Sequence, residues 1–373
     1  MIIGVTKEIK NNENRVGITP SNIKNFVENK HTILVESNAG LGSGFSDEEY
    51  RENGAIILQT AKEVWEKAEM IIKVKEPLQS EYKYFRPGLI IFTYLHLAAD
   101  RELTEAMLEN KVIGICYETV ELEDHSLPLL TPMSQVAGRM SVQIGAHFLE
   151  RHYGGEGILL GGVDNVDPGH IVIIGGGIVG HNACQIAIGM KAKVTLLDLN
   201  ANLLQKIKKE FNNNIETLIS TKENLENTIK TADLVIGAVL IHGAKAPKII
   251  TEKMVKSMKK GSVIVDVSID QGGIVETMDR ITTHENPVFI KHDVVHYSVA
   301  NIPGAVPKTS TLALTTATMP YALEIANNGW KTAVKKDPYL AKGVNVANGN
   351  IVYKAISEAF NLPYLNLERL LDE

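Results

Sequence analysis

Short apolar runs alternate with polar stretches along the first third of the chain. The apolar runs have the length of buried strands and read MIIGV, TILVE, MIIKV, LIIF and VIGICYE. Between them, residues 60–68 and 100–110 have the polar character and the spacing of surface helices. Strands that alternate with helices in this way are typical of βαβ units around a parallel sheet. The pattern therefore predicts a first α/β domain over residues 1–130.

A second series of strands and helices begins after a break at residues 126–133, where SLPLLTPM contains two prolines. Apolar residues at helical spacing predict a long helix from Val136 to Phe148. A glycine-rich segment, Gly154 to Gly169, then leads to the apolar run HIVIIG, and the new series ends near residue 305 at the cluster IPGAVP. The pattern predicts a second α/β domain over residues 131–305.

Residues 306–373 are too few for a third domain, and we expect them to pack on the first domain. Their stretch TLALTTATMPYALEIANNG predicts a long helix despite the internal Pro320. The predicted organisation is a discontinuous domain of residues 1–130 plus 306–373, and a continuous domain of residues 131–305. The predicted fold class is α/β, with two Rossmann-like, doubly wound parallel-sheet domains and a cleft between them.

The composition and charge argue against nucleic acid and membranes as binding partners. A hydrophobic fraction of 44% and a charged fraction of 22% are those of a folded protein, and 373 residues suffice for two cores. The formal net charge of −6 argues against nucleic-acid binding, which requires a basic surface. No apolar run is long enough to span a membrane and the N-terminus has no signal pattern, so we expect a cytoplasmic protein with no membrane partner. Cys116 and Cys184 lie in apolar runs and are interpreted as buried hydrophobic residues.

The clearest chemical signal is a glycine pattern within HIVIIGGGIVGHNACQIAIGMKAKVTLLDLN. Gly175, Gly177 and Gly180 fill the G-x-G-x-x-G pattern, which provides a tight turn, close approach to a pyrophosphate and close helix packing. Asp198 ends the next apolar run, where its carboxylate would bind the adenosine ribose and repel a 2′-phosphate. The pattern predicts that the domain of residues 131–305 binds NAD in preference to NADP.

Two later apolar runs, ADLVIGAVL and GSVIVDVSIDQGG, predict further strands of the same sheet. Ligands of open α/β sheets bind beyond the carboxyl ends of the strands. Val239, Leu240 and Asp270 follow these strand ends and are therefore predicted to face the cofactor. For Val239 and Leu240, an ordinary place in the core is the alternative interpretation.

Polar side chains next to the apolar runs of the first domain are candidates for substrate binding and proton transfer. Arg15 lies in the polar loop NENRVGITP, where its planar guanidinium group could bind a carboxylate; an isolated surface arginine is the commoner alternative. Lys73 and Lys75 end the run MIIKVKEP, and Lys75 is the better candidate for a ligand-binding ammonium group. His96 follows another strand, and an imidazole is a common general acid/base in enzymes, although a single histidine is more often structural.

Seven stretches of the chain, in order, resemble the bacterial alanine dehydrogenase family. They are KNNENRVGITP, KVKEP, TYLHLAADR, LPLLTPMSQVAGRM, GAVLIHGAKAPK, VDVSIDQGG and VANIPGAVPKTST. The related subunit of proton-pumping nicotinamide nucleotide transhydrogenases shares only part of these motifs. The resemblance covers nearly the whole chain and implies an NAD-dependent L-alanine dehydrogenase activity, which interconverts L-alanine with pyruvate and ammonium, in a homohexamer.

The resemblance also implies roles for individual residues. Arg15 and Lys75 would hold the substrate in the first domain, His96 would act as the acid/base, and Asp270 would assist catalysis beside the nicotinamide. Some family members bind magnesium through a glutamate and a histidine in the helix after PKTST; here Glu324 and Asn328 make a poorer site, so we expect no tightly held metal. The implied contacts with NAD, several through backbone atoms, are at Ser134, Val179, Asp198, Ser220, Val239, Leu240, Val267, Asp270, Arg280, Val299, Ala300, Asn301 and Ile302.

Two other functions remain open. A transhydrogenase-type domain would exchange hydride with a partner's NADP, but it needs a membrane-domain partner and would leave Arg15, Lys75 and His96 without a purpose. A non-catalytic NAD sensor could retain the fold, because this architecture serves many functions. The retention of four reactive side chains argues against the sensor.

Overall fold

The computed structural model describes residues 1–240 and 246–372. The chain forms two compact units: unit 1 consists of Met1–Met133 and Val306–Glu373, and unit 2 consists of Ser134–Ala305. Residues 241–245, in the middle of the GAVLIHGAKAPK stretch, and residue 373, the end of the predicted first domain, lie outside the described residues. In the described part of the chain, no helix has both the length and the apolar character needed to cross a membrane.

Strands and helices alternate along most of the chain. The strands are β1 (Ile2–Val5), β2 (Thr32–Glu36), β3 (Ile56–Leu58), β4 (Met70–Ile72), β5 (Ile90–Thr93), β6 (Ile113–Cys116), β7 (His170–Ile174), β8 (Lys193–Asp198), β9 (Glu216–Ile219), β10 (Leu234–Gly237), β11 (Val263–Asp266), β12 (Val288–Lys291), β13 (Val294–Tyr297), β14 (Val344–Ala347) and β15 (Asn350–Ile351). The α-helices are α1 (Pro20–Glu28), α2 (Asp47–Glu52), α3 (Ala61–Lys67), α4 (Arg101–Glu109), α5 (Thr131–Phe148), α6 (Ile178–Gly189), α7 (Ala201–Glu210), α8 (Lys222–Ile229), α9 (Glu252–Lys256), α10 (Pro307–Asn328), α11 (Trp330–Lys336), α12 (Pro338–Gly343), α13 (Lys354–Phe360) and α14 (Leu367–Asp372).

Unit 1 is built on an eight-stranded sheet in the order β15-β14-β6-β5-β4-β1-β2-β3. Strands β1 to β6 pair in parallel. Strand β14 pairs antiparallel with β6, and β15 pairs antiparallel with β14, so residues near the C-terminus complete one edge of this sheet. The sheet is therefore mixed, and not purely parallel as predicted. Its last two strands, VNVA and NI, are too short and too polar to form an apolar run.

Unit 2 is built on a seven-stranded sheet in the order β12-β13-β11-β10-β7-β8-β9. All neighbours pair in parallel except β12 and β13. The strand order reverses beside β7, which has β8 on one side and β10 on the other. Open α/β sheets bind ligands at such a reversal, beyond the carboxyl ends of the strands. Both sheets are dominated by parallel pairs, and the predicted α/β class with two doubly wound domains is confirmed.

Strand β7 shows why the predicted strands are continuous apolar runs. Ile171 and Ile173 belong to one buried cluster, whereas Val172 and Ile174 belong to a second one. Successive side chains of a strand point to opposite faces, so both faces of this strand are covered. Strands buried on both faces are therefore nearly continuous apolar runs. Each such side chain stabilises the fold by roughly 1.5–3 kcal/mol.

Two long helices follow the predicted pattern with one difference in length. Helix α5 begins at Thr131, before the predicted start at Val136, because Pro132 is well suited to the first turn of a helix. Gly138 in α5 packs closely on α6, since a Cβ atom there would lie 2.2 Å from the carbonyl oxygen of Val179. Helix α10 continues through Pro320, as the sequence predicts.

Candidate active site

Arg15 lies in the loop between β1 and α1 and is buried, with 2% of its surface exposed. Its Nε and Nη2 atoms donate to the two carboxylate oxygens of Glu13 at 2.7 and 2.5 Å, and Nη1 donates to Sδ of Met133 at 3.0 Å. Burial alone would raise the pKa of Glu13, but the hydrogen bonds and the charge of Arg15 lower it to about 2. The guanidinium group therefore has a fixed orientation and an ionised partner. The interpretation of Arg15 as a surface arginine is wrong.

Side chains from other parts of unit 1 fix the loop around Arg15. The amide of Val16 donates to Oγ1 of Thr311 in α10 at 3.2 Å. The hydroxyl of Ser43 lies 2.8 Å from the same Oγ1 atom. The position of Arg15 thus depends on residues that lie far from it in the sequence.

Lys73 and Lys75, which follow the same strand, have different surroundings. Lys73 is fully buried, and its Nζ lies 3.2 Å from Oε2 of Glu8 and 3.1 Å from Oε1 of Glu81. Burial alone would lower the pKa of Lys73, but the two carboxylates outweigh it and raise the pKa. Oε1 of Glu8 also accepts the backbone amides of Val74 at 2.6 Å and Lys75 at 3.3 Å. Lys73 therefore belongs to a buried charge cluster that fixes the chain after β4.

Lys75 is half-buried and, within residues 1–240 and 246–372, its ammonium group forms no ion pair. Burial and the positive charge of Arg15 lower the pKa of Lys75. A bound anion would raise the pKa of Lys75 again, because its negative charge favours the ammonium form. Arg15 and Lys75 are therefore suited to bind a carboxylate together.

His96 follows the end of β5, and half of its side chain is exposed. Its ring stacks on the ring of Tyr94, with the centroids 6.1 Å apart and the planes at 6°. Tyr94 is buried, and its hydroxyl donates to the carbonyl oxygen of Leu129 at 2.6 Å. Burial raises the pKa of Tyr94, and the charge of Arg15 opposes this rise. Tyr94 thus interacts with both Arg15 and His96.

The carboxyl ends of β1, β4 and β5 lie at the same edge of the unit 1 sheet, because these strands pair in parallel. The loops that follow them carry Arg15, Lys75 and His96. Unit 1 therefore brings two cations and an imidazole to one edge of its sheet. This arrangement can bind a small carboxylate and exchange a proton with it.

Three residues that hold this site were not identified from the sequence. Glu13 is close to Arg15 in the chain, and an acid beside a candidate arginine is a signal that could have been used. Glu8 reaches the chain after β4 from the loop after β1. Glu118 accepts the backbone amide of His96 at 2.6 Å. For Glu8 and Glu118 the sequence contains no local signal.

The predicted nucleotide-binding turn lies between β7 and α6 of unit 2. Gly175 has a φ angle of 103°, which favours glycine. A Cβ atom at Gly180 would lie 1.8 Å from the carbonyl oxygen of Gly175, so only glycine lets the helix pack this closely. Around a Cβ atom at Gly177, at the N-terminus of α6, no atom of the described residues lies within 4 Å once Gly177 and its neighbours along the chain are left out. The turn fits a dinucleotide whose pyrophosphate lies at the positive end of the helix.

Asp198 ends β8, as the sequence predicts. Its Oδ2 atom accepts the amide of Gly176 at 2.6 Å, and its Oδ1 atom accepts the amide of Asn200 at 2.8 Å. The carboxylate therefore joins the glycine turn to the end of β8. Asp198 is half-buried, which leaves part of it accessible to ribose hydroxyls.

Asp270 is exposed in the short 3-10 helix that follows β11. The hydroxyl of Ser268 in this helix donates to the carbonyl oxygen of Val239 at 2.6 Å, which joins the ends of β10 and β11. The buried Asp266 accepts the amides of Ser268 at 3.1 Å and Ile274 at 2.8 Å. Burial outweighs these hydrogen bonds and raises the pKa of Asp266 to about 6. Asp266 thus supports the segment that carries Asp270, and it was not identified from the sequence.

The other predicted cofactor contacts differ in exposure. Val179, Val299 and Ile302 are buried in the hydrophobic core, so their backbone atoms are the ones available to a ligand. Leu240 and Arg280 are exposed, and Arg280 pairs with the neighbouring Asp279. The half-buried residues of this group are Ser134, Ser220, Val239, Val267, Ala300 and Asn301. All of these contacts stay predictions.

The predicted absence of a tightly held metal concerns Glu324 and Asn328 in α10. The Asn328 amide donates to Oε1 of Glu324 at 2.8 Å, so its nitrogen faces that carboxylate. The Lys336 ammonium group lies 3.6 Å from Oε1 of Glu324 and 3.3 Å from Oδ1 of Asn328. A cationic side chain therefore contacts both residues. Across the described residues, no group of three or more His, Cys, Asp or Glu side chains could hold a metal ion.

Both halves of the chain match family models of known proteins. The model described as alanine dehydrogenase/PNT, N-terminal domain, matches residues 4–137, and the corresponding C-terminal domain model matches residues 141–354. The chain is 59% identical to an alanine dehydrogenase of Methanococcus maripaludis over 373 residues, which are 100% of both chains.

Solved structures agree with these matches. A structure of L-alanine dehydrogenase, 49% identical in sequence, aligns with a TM-score of 0.94 over 97% of this chain and 99% of its own. A transhydrogenase from Sinorhizobium meliloti shares the fold, with a TM-score of 0.82 at 23% identity over 95% of this chain and 100% of its own. The chain therefore belongs to the alanine dehydrogenase/PNT family.

Proposed function

We propose that this protein is an NAD-dependent L-alanine dehydrogenase, which reversibly deaminates L-alanine to pyruvate and ammonium. The observation that carries the proposal is the pair of cations, Arg15 and Lys75, at the edge of the unit 1 sheet. The Lys75 ammonium group forms no ion pair within the described residues, and burial and the charge of Arg15 lower its pKa. The 59% identity with an alanine dehydrogenase over the full length supports the choice of substrate.

Substrate binding follows from the charges of unit 1. The Arg15 guanidinium group, oriented by Glu13, pairs with the substrate carboxylate through charge-assisted hydrogen bonds. Lys75 binds the same carboxylate or the keto oxygen of pyruvate, and this contact polarises the carbonyl group in the reductive direction. Both residues thus orient the substrate and keep its reacting carbon in a fixed place.

Proton transfer belongs to His96. In the oxidative direction NAD, when bound, would supply the acceptor for the hydride that leaves the α-carbon of alanine, and Asp270 would assist beside the nicotinamide. The imine that results adds water at its carbon, and His96 takes a proton from that water. His96 then gives this proton to the amino nitrogen of the carbinolamine and takes the hydroxyl proton as the carbonyl forms; ammonia leaves, picks up a proton to become ammonium, and pyruvate remains. The half-exposed imidazole suits this role, since it can exchange its proton with solvent.

The choice of NAD rests on Asp198 and the glycine turn. The Asp198 carboxylate would accept hydrogen bonds from the ribose hydroxyls of NAD and would repel the 2′-phosphate of NADP. Gly177 leaves space at the N-terminus of α6 for the pyrophosphate. The remaining NAD contacts predicted from the sequence, from Ser134 to Ile302, belong to the same proposal.

Turnover can be measured directly. NADH absorbance is followed with pyruvate and ammonium, and in reverse with L-alanine and NAD. Wild-type protein should turn over in both directions, and His96→Ala should lose roughly 10²–10⁴-fold in kcat, the usual contribution of a general acid/base. Tight NAD binding without turnover of alanine in the wild type would contradict the proposal and favour an NAD sensor. We also propose a cytoplasmic location, as expected from the sequence, and a homohexamer, which the family resemblance implies.

A further inference from the structure

The backbone at His96 has an unusual conformation. Its φ and ψ angles are 49° and 34°, in the left-handed region. An L-residue other than glycine rarely adopts this conformation, because its Cβ atom crowds the backbone. Such a residue keeps its conformation only where the surrounding structure holds it there.

Glu118 lies where it can hold this backbone. It belongs to the turn of 3-10 helix after β6, and β6 pairs in parallel with β5, the strand that leads to His96. Its Oε1 atom accepts the amide of His96 at 2.6 Å and the amide of Leu95 at 3.2 Å. The Glu118 side chain is only 15% exposed, so water competes little for these bonds.

The contact concerns the backbone of His96 more than its ring. Nδ1 of His96 lies 3.7 Å from Oε1 of Glu118, which is beyond hydrogen-bonding distance. The ring rests instead on Tyr94, whose hydroxyl is held by the carbonyl oxygen of Leu129. Residues 94–96 are thus held at three successive points, and Glu118 accounts for two of them.

We propose that Glu118 is a positioning residue for His96. By accepting two consecutive amides, its carboxylate holds the left-handed backbone that sets the place of the imidazole. The inference rests on the proposed function, in which His96 transfers protons to and from the substrate. Loss of Glu118 therefore lowers kcat, and it leaves KM for L-alanine nearly unchanged because Arg15 and Lys75 bind the carboxylate.

The first arm of the test compares two substitutions of Glu118. Glu118→Ala removes the acceptor and should lower kcat by about 100-fold, the usual result of misplacing a reacting group. Glu118→Gln keeps an amide oxygen that can accept both N–H groups, so it should stay within about tenfold of the wild type. Glu121→Ala is the matched control, because Glu121 lies in the same segment but pairs with His125 and Lys342; its kcat should change by less than about twofold.

The second arm places Glu118→Ala in a His96→Ala background, with single-turnover measurements. If Glu118 acts through His96, its removal should change the rate by less than about twofold in that background. NADH affinity from fluorescence and the near-ultraviolet circular dichroism of each variant report whether the fold is intact. If Glu118→Ala does not fold, the same cycle is run with Glu118→Gln, whose smaller effect should also vanish without His96.

Three results would overturn the inference: full activity of Glu118→Ala, an equal loss in Glu118→Gln and Glu118→Ala, or an undiminished loss without His96. Failure of the proposed function is a separate result, because the wild type itself would then not convert L-alanine. The two failures are therefore distinguishable in one set of assays.

Discussion

The candidate sites of unit 1 and unit 2 differ in whether side chains or the main chain form them. The unit 1 site consists of charged side chains: Arg15 pairs with Glu13, Lys75 forms no ion pair among the described residues, and the buried pair of Lys73 and Glu8 fixes the chain that carries Lys75. The unit 2 site is formed mainly by the main chain at glycines. At some of them a Cβ atom would clash with the backbone, and at others it would occupy the space proposed for the ligand. In unit 1 the identity of each charge therefore decides stability or function, whereas in unit 2 the shape of the main chain does.

The largest expected effect separates two lysines of unit 1. Lys73→Met should lower the free energy of unfolding by about 3–5 kcal/mol, because it leaves the carboxylates of Glu8 and Glu81 buried without their cation. Urea unfolding can be followed by fluorescence, since both tryptophans, Trp65 and Trp330, lie in unit 1.

Lys75→Met is the control for this prediction. The Lys75 ammonium group has a lowered pKa, so its removal should cost no stability but should raise KM for pyruvate. Equal losses of stability in the two variants would show that Lys73 and Lys75 contribute equally to the free energy of unfolding, against this prediction.

The next effect concerns two glycines of unit 2. Gly180→Ala should destabilise the protein by about 3 kcal/mol and abolish NAD binding, because its Cβ atom would lie 1.8 Å from the Gly175 carbonyl oxygen. Gly177→Ala should cost about 1 kcal/mol or less, as an N-cap substitution, yet should still weaken NAD binding. Thermal unfolding and NADH fluorescence measure the two quantities. A Gly180→Ala variant with normal stability and NAD affinity would refute a site defined by main-chain shape.

The smallest expected effect is a difference in pH dependence between the units. Asp266 in unit 2 has a pKa raised from 3.8 to about 6, so the stability it contributes is present below pH 3.8 and is lost as the pH rises through 6. Glu13 in unit 1 has a pKa lowered from 4.5 to about 2, so its contribution is present above pH 4.5 and is lost as the pH falls through 2. The two carboxylates therefore act in opposite directions.

Asp266→Asn tests this difference, because it removes one of the two titrations. Between pH 4 and pH 6, the unfolding free energy of the wild type relative to Asp266→Asn should fall by about 2 kcal/mol. Urea unfolding at several pH values measures it. A difference that does not change with pH would mean that Asp266 titrates in the native protein as it does in the unfolded chain.

The same contrast explains how much the sequence could predict. The strands with long apolar runs, the glycine turn and Asp198 were predicted, since each is encoded by neighbouring residues. The short strands β3, β14 and β15 were not, because two to four residues carry too little pattern. Lys75 was preferred to Lys73 from the sequence, but the physical reason for the difference, the pairing of Lys73 with Glu8 in a loop after another strand, became visible only in the fold. Glu118 and Asp266 were missed because only the fold shows which amides their carboxylates accept.

The antiparallel pairing of β14 with β6 affects how the protein is made. All seven strands of unit 2 lie within residues 170–297, so its sheet can form from one uninterrupted piece of nascent chain. The sheet of unit 1 begins at residue 2 and is complete only when β15 has left the ribosome. Nascent domains generally fold as units, so the sheet of unit 2 can be completed before the sheet of unit 1, although the synthesis of unit 1 begins first.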